Sequence, residues 1–320
     1  MRPPLRRSFL FAAALALPAV AAADGETIAV FTKNQTNPFF QAVRLGADSA
    51  ARQMNAKVIH YVPTKPDSIP EQMSQIEDVV VKKPNAIVFT PVDYKAMTPG
   101  VQKMNGAKIP VVNITDRAEQ GQFVTFVGAN DYKLGLETGT YLLKAMGGKG
   151  GVVILEGVRG AITNTDRTRG FNDALKQFPG VKLLASQSAN YQRLNALQVM
   201  ENLMQAHPQI DGVMAANDAM ATGAVEALDA ANRKALVIGI NGTKEAVDLI
   251  KGGKMLATGD YNAFNQGCFG VMAALRQLRG EPVPKEILFP VTVVDKANYQ
   301  PYDIPADKRT CPKWAEMVSG

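Results

Sequence analysis

The sequence predicts an α/β protein made of two doubly wound lobes, each a parallel sheet covered by helices on both faces. Short apolar runs suited to buried strands recur at 27–31, 57–62, 86–90, 110–114 and 123–127. They start afresh at 151–155, 182–186, 212–216, 235–240 and 255–258. Helical patterns fill the gaps, at 39–54, 69–82 and 96–105 in the first series and at 165–178, 192–206, 219–230 and 244–251 in the second. Strand and helix in alternation give a parallel sheet buried on both sides, and the array is too long for one comfortable sheet.

Residues 1–23 are set apart from this array. Arg2, Arg6 and Arg7 precede an apolar run at 9–17, which ends in Pro18 and a small-residue Ala-x-Ala stretch before Asp24. That order describes a cleavable export signal, and the run is shorter than the roughly 20 residues that span a bilayer. Arg6-Arg7-Ser8-Phe9-Leu10 resembles a twin-arginine motif. The general secretory route and the twin-arginine route both stay open, and both lead to the periplasm. The whole chain carries a formal charge of +6, and without the leader's three arginines +3. With no long basic run, nucleic acid is not an expected partner.

The first strand ends in the stretch Thr-Lys-Asn-Gln-Thr-Asn-Pro-Phe-Phe at 32–40. Asn37 is placed to cap the following helix, and Pro38 at its first position has a suitable φ and no donor to leave unmade. The loop therefore gathers Lys33, Asn37, Phe39 and Phe40 beyond the carboxyl end of a strand, where ligands bind in open α/β sheets. A cation and an amide hydrogen-bond hydroxyls, while aromatic faces pack on the C–H patches of a sugar ring. Polar residues follow the other strands in the same way: Thr115-Asp116-Arg117, a loop running to Asn164, Asp166 and Arg167, then Tyr191, Asn217-Asp218 and Asn241-Gly242-Thr243. Asn and Asp are ordinary helix caps at such places, but five polar loops facing one cleft make a pocket.

Other chemistry finds little support. There is no Gly-x-Ser-x-Gly elbow, and the 147–151 glycine run lacks the phosphate-loop spacing. His60 and His207 read as structural, no cofactor is expected, and no cluster has metal-ligand spacing. Asp116 and Asp166 are the one imaginable glycosidase pair. Cys268 and Cys311 are either a disulfide pinning the tail or two buried thiols.

Seven segments then fall into a known order: TNPFF at 36–40, VNITDR at 112–117, DRTRGF at 166–171, ASQSANYQR at 185–193, AANDAMATGA at 215–224, VIGINGT at 237–243 and ATGDYN at 257–262. In this the sequence resembles the ribose-binding protein group of periplasmic sugar-binding proteins, the soluble receptors of ABC importers. The resemblance implies a type I periplasmic binding fold with three crossings between lobes, 24–129 with 262–290 in one and 130–261 with 291–320 in the other. It implies hinge closure on a monosaccharide or polyol without catalysis. Asn37, Phe39, Phe40, Asp116 and Arg117 come from the first lobe, Arg167, Tyr191, Asn217 and Asn241 from the second, and Tyr261 from near a crossing, while Asn164 joins the candidate ligand-binding residues from its place in the polar loop before Arg167. Lys33 falls where similar allose-binding proteins have a sugar-contacting lysine. The group usually has Asp where this chain has Asn241 and Gln where it has Tyr261, which removes a charge-assisted acceptor and argues against ribose itself. The tail from Tyr302 to Trp314 is expected on the second lobe. A permease and an ATPase of the inner membrane are the implied partners, with a chemoreceptor as an optional third, and the receptor is expected as a monomer. A regulator core of the lactose-repressor type and an exported glycoside hydrolase are the alternatives.

Overall fold

The computed structural model describes residues 25–318, so the leader expected over 1–23 lies outside the described residues. The first lobe runs through β1 (Thr27–Phe31), α1 (Pro38–Gln53), β2 (Lys57–Tyr61), α2 (Ile69–Lys82), β3 (Ala86–Phe89), α3 (Thr98–Gly106), β4 (Val111–Ile114) and β5 (Phe126–Ala129). The second runs through α4 (Asp131–Ala145), β6 (Gly150–Glu156), α5 (Ile162–Lys176), β7 (Val181–Ser188), α6 (Arg193–Ala206), β8 (Gly212–Ala215), α7 (Asp218–Ala230), β9 (Leu236–Asn241), α8 (Lys244–Lys251) and β10 (Ala257–Asp260). The chain then returns to the first lobe as α9 (Ala263–Leu278) and β11 (Glu286–Phe289), and crosses once more to β12 (Thr292–Asp295).

Two sheets result, ordered β11-β5-β4-β3-β1-β2 and β12-β10-β9-β8-β6-β7. The first is parallel throughout, whereas β12 closes the edge of the second antiparallel to β10. Central strands are apolar on both faces because helices cover both: Ile28 and Val30 meet the α1 and α9 layer, while Ala29 and Phe31 meet α2 and α3. Crossings fall at 130, 261–262 and 290–291, between the last strand of one lobe and the next element of the other.

Glycines set the closest helix contacts. A Cβ on Gly46 or Gly267 would run into the carbonyl of Phe264 or Val43, so α1 and α9 meet backbone to backbone. Gly135 and Gly170 bring α4 and α5 together in the same way, which seats the Arg167 backbone against α4.

Several element bounds differ from the sequence pattern. The strand expected at 123–127 begins at Phe126, and the one expected at 255–258 occupies Ala257–Asp260 with Met255 buried beneath it. The helix expected at 165–178 begins three residues earlier, so Asn164 and Arg167 stand on α5 rather than in a loop.

The tail corrects a further expectation. It leaves β12 on the second lobe, where Asp303 pairs with Lys244 at 3.1 Å and Lys251 at 2.6 Å on α8. It then passes over to the first lobe. Cys311 forms a disulfide with Cys268 of α9, and Trp314 packs on Phe269 at 5.7 Å with Arg276 stacked over its ring. Residues 291–320 therefore do not stay with the second lobe: the described part bridges both, and makes a fourth, disulfide-closed connection between them.

Candidate functional site

A small cavity lies between the lobes, at the carboxyl ends of their strands. The first-lobe wall starts at β1. Asn37 caps α1 by accepting from the Phe39 amide at 3.0 Å, leaving its side-chain nitrogen as the group it can offer a guest. The cap turns Phe39 and Phe40 to the cavity, edge to face at 5.2 Å. Phe39 also stacks on Tyr261, the rings 5.4 Å apart and tilted by 25°. Lys33, 2 % exposed, donates to Asp116 at 3.2 Å and lies 3.6 Å from Asp67. Burial works against its charge, but the two carboxylates outweigh it and hold its pKa above the ordinary lysine value.

Asp116 is aimed by its neighbours. Thr115 takes a left-handed φ of 66°, and the Asn113 side chain donates to the carbonyls of Phe89 and Asp116 while accepting from the Ala118 amide. The same turn sends Arg117 the other way. Its half-exposed side chain pairs with Glu286 at 2.8 Å and stacks over Phe126, so Arg117 is corrected from cavity residue to surface residue.

The second-lobe wall is organised by Arg167, itself 3 % exposed. Its Nε donates to Asp131 at 2.8 Å, its Nη1 donates to the Ala216 carbonyl at 2.8 Å and to Asn241 Oδ1 at 3.3 Å, and its guanidinium lies 4.4 Å from the Tyr261 ring centre. Burial raises Asp131 to about 6 although Arg167 and the Tyr261 hydroxyl pull it down. The Tyr261 hydroxyl sits 2.8 Å from both Asp131 and the Thr115 carbonyl, so its single proton is shared between the lobes. Asn217 caps α7 through the Met220 amide and donates to the Tyr191 carbonyl, which fixes the loop carrying Tyr191. Gly157 leaves room for the Tyr191 ring, and burial pushes that phenol up to about 12.

Asn164 is buried but off the cavity lining: its oxygen accepts from the Gly157 amide and the Thr168 hydroxyl. Thr163 stands in its place. Its hydroxyl lies 3.0 Å from Asp116 Oδ1 and 3.2 Å from the Tyr191 hydroxyl, joining the two walls. Thr163 and Asn164, four and three residues before Arg167, both lie on its side of α5, but the Asn164 side chain is taken up by the Gly157 amide and the Thr168 hydroxyl, which leaves Thr163 to face the cavity. Asn34 and Asp67 also line the cavity without having been singled out in the sequence, as does Thr115, named there only as part of its loop. Asp67 follows β2 in the position every other pocket loop occupies, and that position was its signal.

Asp166 pairs with Arg169 at 2.9 Å outside the cavity, so the carboxylate pair considered for hydrolysis is not assembled there. Among the described residues no group of His, Cys, Asp and Glu is arranged to hold a metal. His60 is 2.8 Å from Asp48, well away from the cleft.

Two similar α/β lobes, hinged side by side and holding a buried polar cavity between them, define a two-lobed solute-binding protein. The chain belongs to the periplasmic binding protein domain family, whose profile matches residues 28–282. It is 35 % identical to the ribose import binding protein RbsB of Bacillus subtilis over 265 residues, 83 % of this chain and 86 % of that one. Its fold is similar to that of an ABC transporter periplasmic solute binding protein of Actinobacillus succinogenes solved with D-allose, with TM-score 0.82, 34 % identity, and 87 % of this chain and all of that one covered. It is also similar to a carbohydrate transporter solute binding protein of Agrobacterium radiobacter in complex with D-arabinose, with TM-score 0.83, 28 % identity, and 88 % of this chain and 98 % of that one covered.

Proposed function

We propose that this protein is an exported receptor of an ABC importer that closes on one monosaccharide or sugar alcohol and delivers it unchanged to a membrane permease driven by an ATPase. The observation that carries this reading is the pairing of polar forks with ring faces in one cavity. Asp116 and Arg167 come from opposite lobes, and Phe39 and Tyr261 stack beside them. Adjacent hydroxyls suit a carboxylate and a guanidinium, and ring C–H patches suit the aromatic faces. A guest lacking one matching hydroxyl leaves a buried group unpaired, which is how such a site reads stereochemistry.

The relatives named above are described with ribose, allose and arabinose, so the search begins with pentoses, hexoses and the polyols derived from them. A thermal-shift panel tests the reading. A guest that binds only the folded form at a hundredfold excess over its Kd adds about 2.7 kcal/mol of stability. The expected result is a clear rise in melting temperature with one or a few stereoisomers. A panel in which none raises it overturns the reading.

A further inference from the structure

We propose that Asn34 and Asp67 form an additional recognition corner of the cleft, which takes one hydroxyl of an uncharged guest and bars sugar acids. This rests on the sugar-binding reading above. Asp67 lies in the loop between β2 and α2, just before Ser68, which caps α2. Its backbone adopts a left-handed φ of 56°, costly for a residue with a Cβ, and its amide donates to the Lys33 carbonyl at 3.0 Å. That bond ties the β2 loop to the end of β1 and sets the Asp67 carboxylate beside the Lys33 ammonium.

Asn34 completes the corner. Its oxygen accepts from the Asn37 amide at 2.9 Å, which fixes the orientation of the side-chain amide. Its Nδ2 is buried, makes no hydrogen bond of normal geometry among the described residues, and faces the Asp67 carboxylate, whose pKa burial raises while Lys33 and this amide pull it back. A buried donor left unmade is unfavourable, so it gains from a guest that supplies an acceptor. A hydroxyl fits both groups at once, accepting from Asn34 and donating to Asp67.

The charge count then selects the guest. Lys33 already has Asp116 and Asp67, and Arg167 already has Asp131. These five groups sum to a formal −1, so neither cation is left for an anion. A carboxylate brought into the corner would meet Asp67 at short range in a water-poor site, where like charges repel strongly. Lys33 is on this account a hydroxyl donor, and Asp67 is what keeps it from acting as an anion trap.

Calorimetric titration of the mature protein tests this, using the neutral sugar that stabilises it most and the aldonate of the same carbon skeleton. Wild type is expected to prefer the neutral sugar by at least about a hundredfold. Asp67→Asn keeps the shape and removes the charge. It should weaken the neutral sugar by about tenfold and shrink the neutral-to-acid preference by at least as much. Asn34→Ser should weaken the neutral sugar by about tenfold and leave that preference unchanged. The preference is the decisive reading, since a merely structural defect would lower both affinities together. Melting temperatures without ligand identify a variant that folds poorly, and Asp67→Ser then supplies a second uncharged form. An unchanged preference in both Asp67 variants, or wild type taking the aldonate as tightly as the sugar, overturns the proposal and leaves the sugar reading standing. Wild type binding no neutral sugar overturns both.

Discussion

The two walls of the cleft hold their buried cations in opposite ways. On the second lobe Arg167 is locked by Asp131, the Ala216 carbonyl, Asn241 and the Tyr261 ring, a fork whose donors face fixed partners. On the first lobe Lys33 is a point charge shared between two carboxylates at 3.2 and 3.6 Å, with the Asn34 amide nitrogen lacking a hydrogen bond beside it. The contrast teaches a division of labour. The second wall is preorganised and sets position, whereas the first retains unsatisfied groups that a guest completes.

Removing Arg167 should break that contrast most severely. Arg167→Ala deletes donors to the cavity and leaves Asp131 buried without its cation. Affinity should fall by at least about a hundredfold, and stability by about 3–5 kcal/mol, read by calorimetry and urea denaturation. Equal affinity would mean that Arg167 serves the fold alone.

The tail connection comes next, because it ties the two walls together outside the hinge. Replacing Cys268 and Cys311 by Ser opens a link spanning 43 residues of sequence, for which chain entropy predicts a loss of about 4 kcal/mol. An unchanged denaturation midpoint under oxidising conditions would show that the bond contributes nothing to the fold.

Lys33→Met should be milder than the arginine change. It removes one donor and leaves Asp67 facing Asp116, and affinity should drop by about tenfold. A loss equal to that of Arg167→Ala would erase the asymmetry between the walls.

Acid should act chiefly through the second lobe. Burial raises Asp131, Asp218 and Asp260 to about 6. A carboxyl with a higher pKa folded than unfolded binds its proton more readily in the folded state. Its contribution is therefore fully present below about pH 4 and is lost as pH rises through about 6. The urea midpoint should be higher at pH 5 than at pH 7, and a lower one would contradict the sign. Arg117→Ala should do least, with affinity unchanged within about twofold and at most about 1 kcal/mol lost from an exposed ion pair.

Much of this was legible in the sequence, and the reasons differ by residue. Asn37-Pro38 announced its helix because a cap and a first-turn proline are local chemistry. The alternation of apolar strands with amphipathic helices placed Lys33, Phe39, Asp116, Tyr191 and Asn217 at strand ends, because parallel sheets put those ends together. α9 escaped because its Ala263–Leu275 stretch is buried nearly all round and shows no polar face, and α4 because Gly135 and Gly139 interrupt its pattern. Arg117 and Asn164 failed on direction. One follows Asp116 in a loop whose turn points neighbours apart, and the other shares the Arg167 side of α5 but turns its side chain to the Gly157 amide and the Thr168 hydroxyl. Asp67 had a signal in its place after β2 that went unused, whereas the lobe taken by Cys311 depends on a contact between distant segments, which no local pattern encodes.

The central claim is that the walls grip a small neutral guest and return it unaltered. Titration of the mature protein with the best sugar from the panel, followed by chromatography of what denaturation releases, tests that claim directly. The account predicts one guest per chain, recovered as the same sugar that went in. A guest recovered cleaved or modified, or no saturable binding by any sugar or polyol, would contradict it.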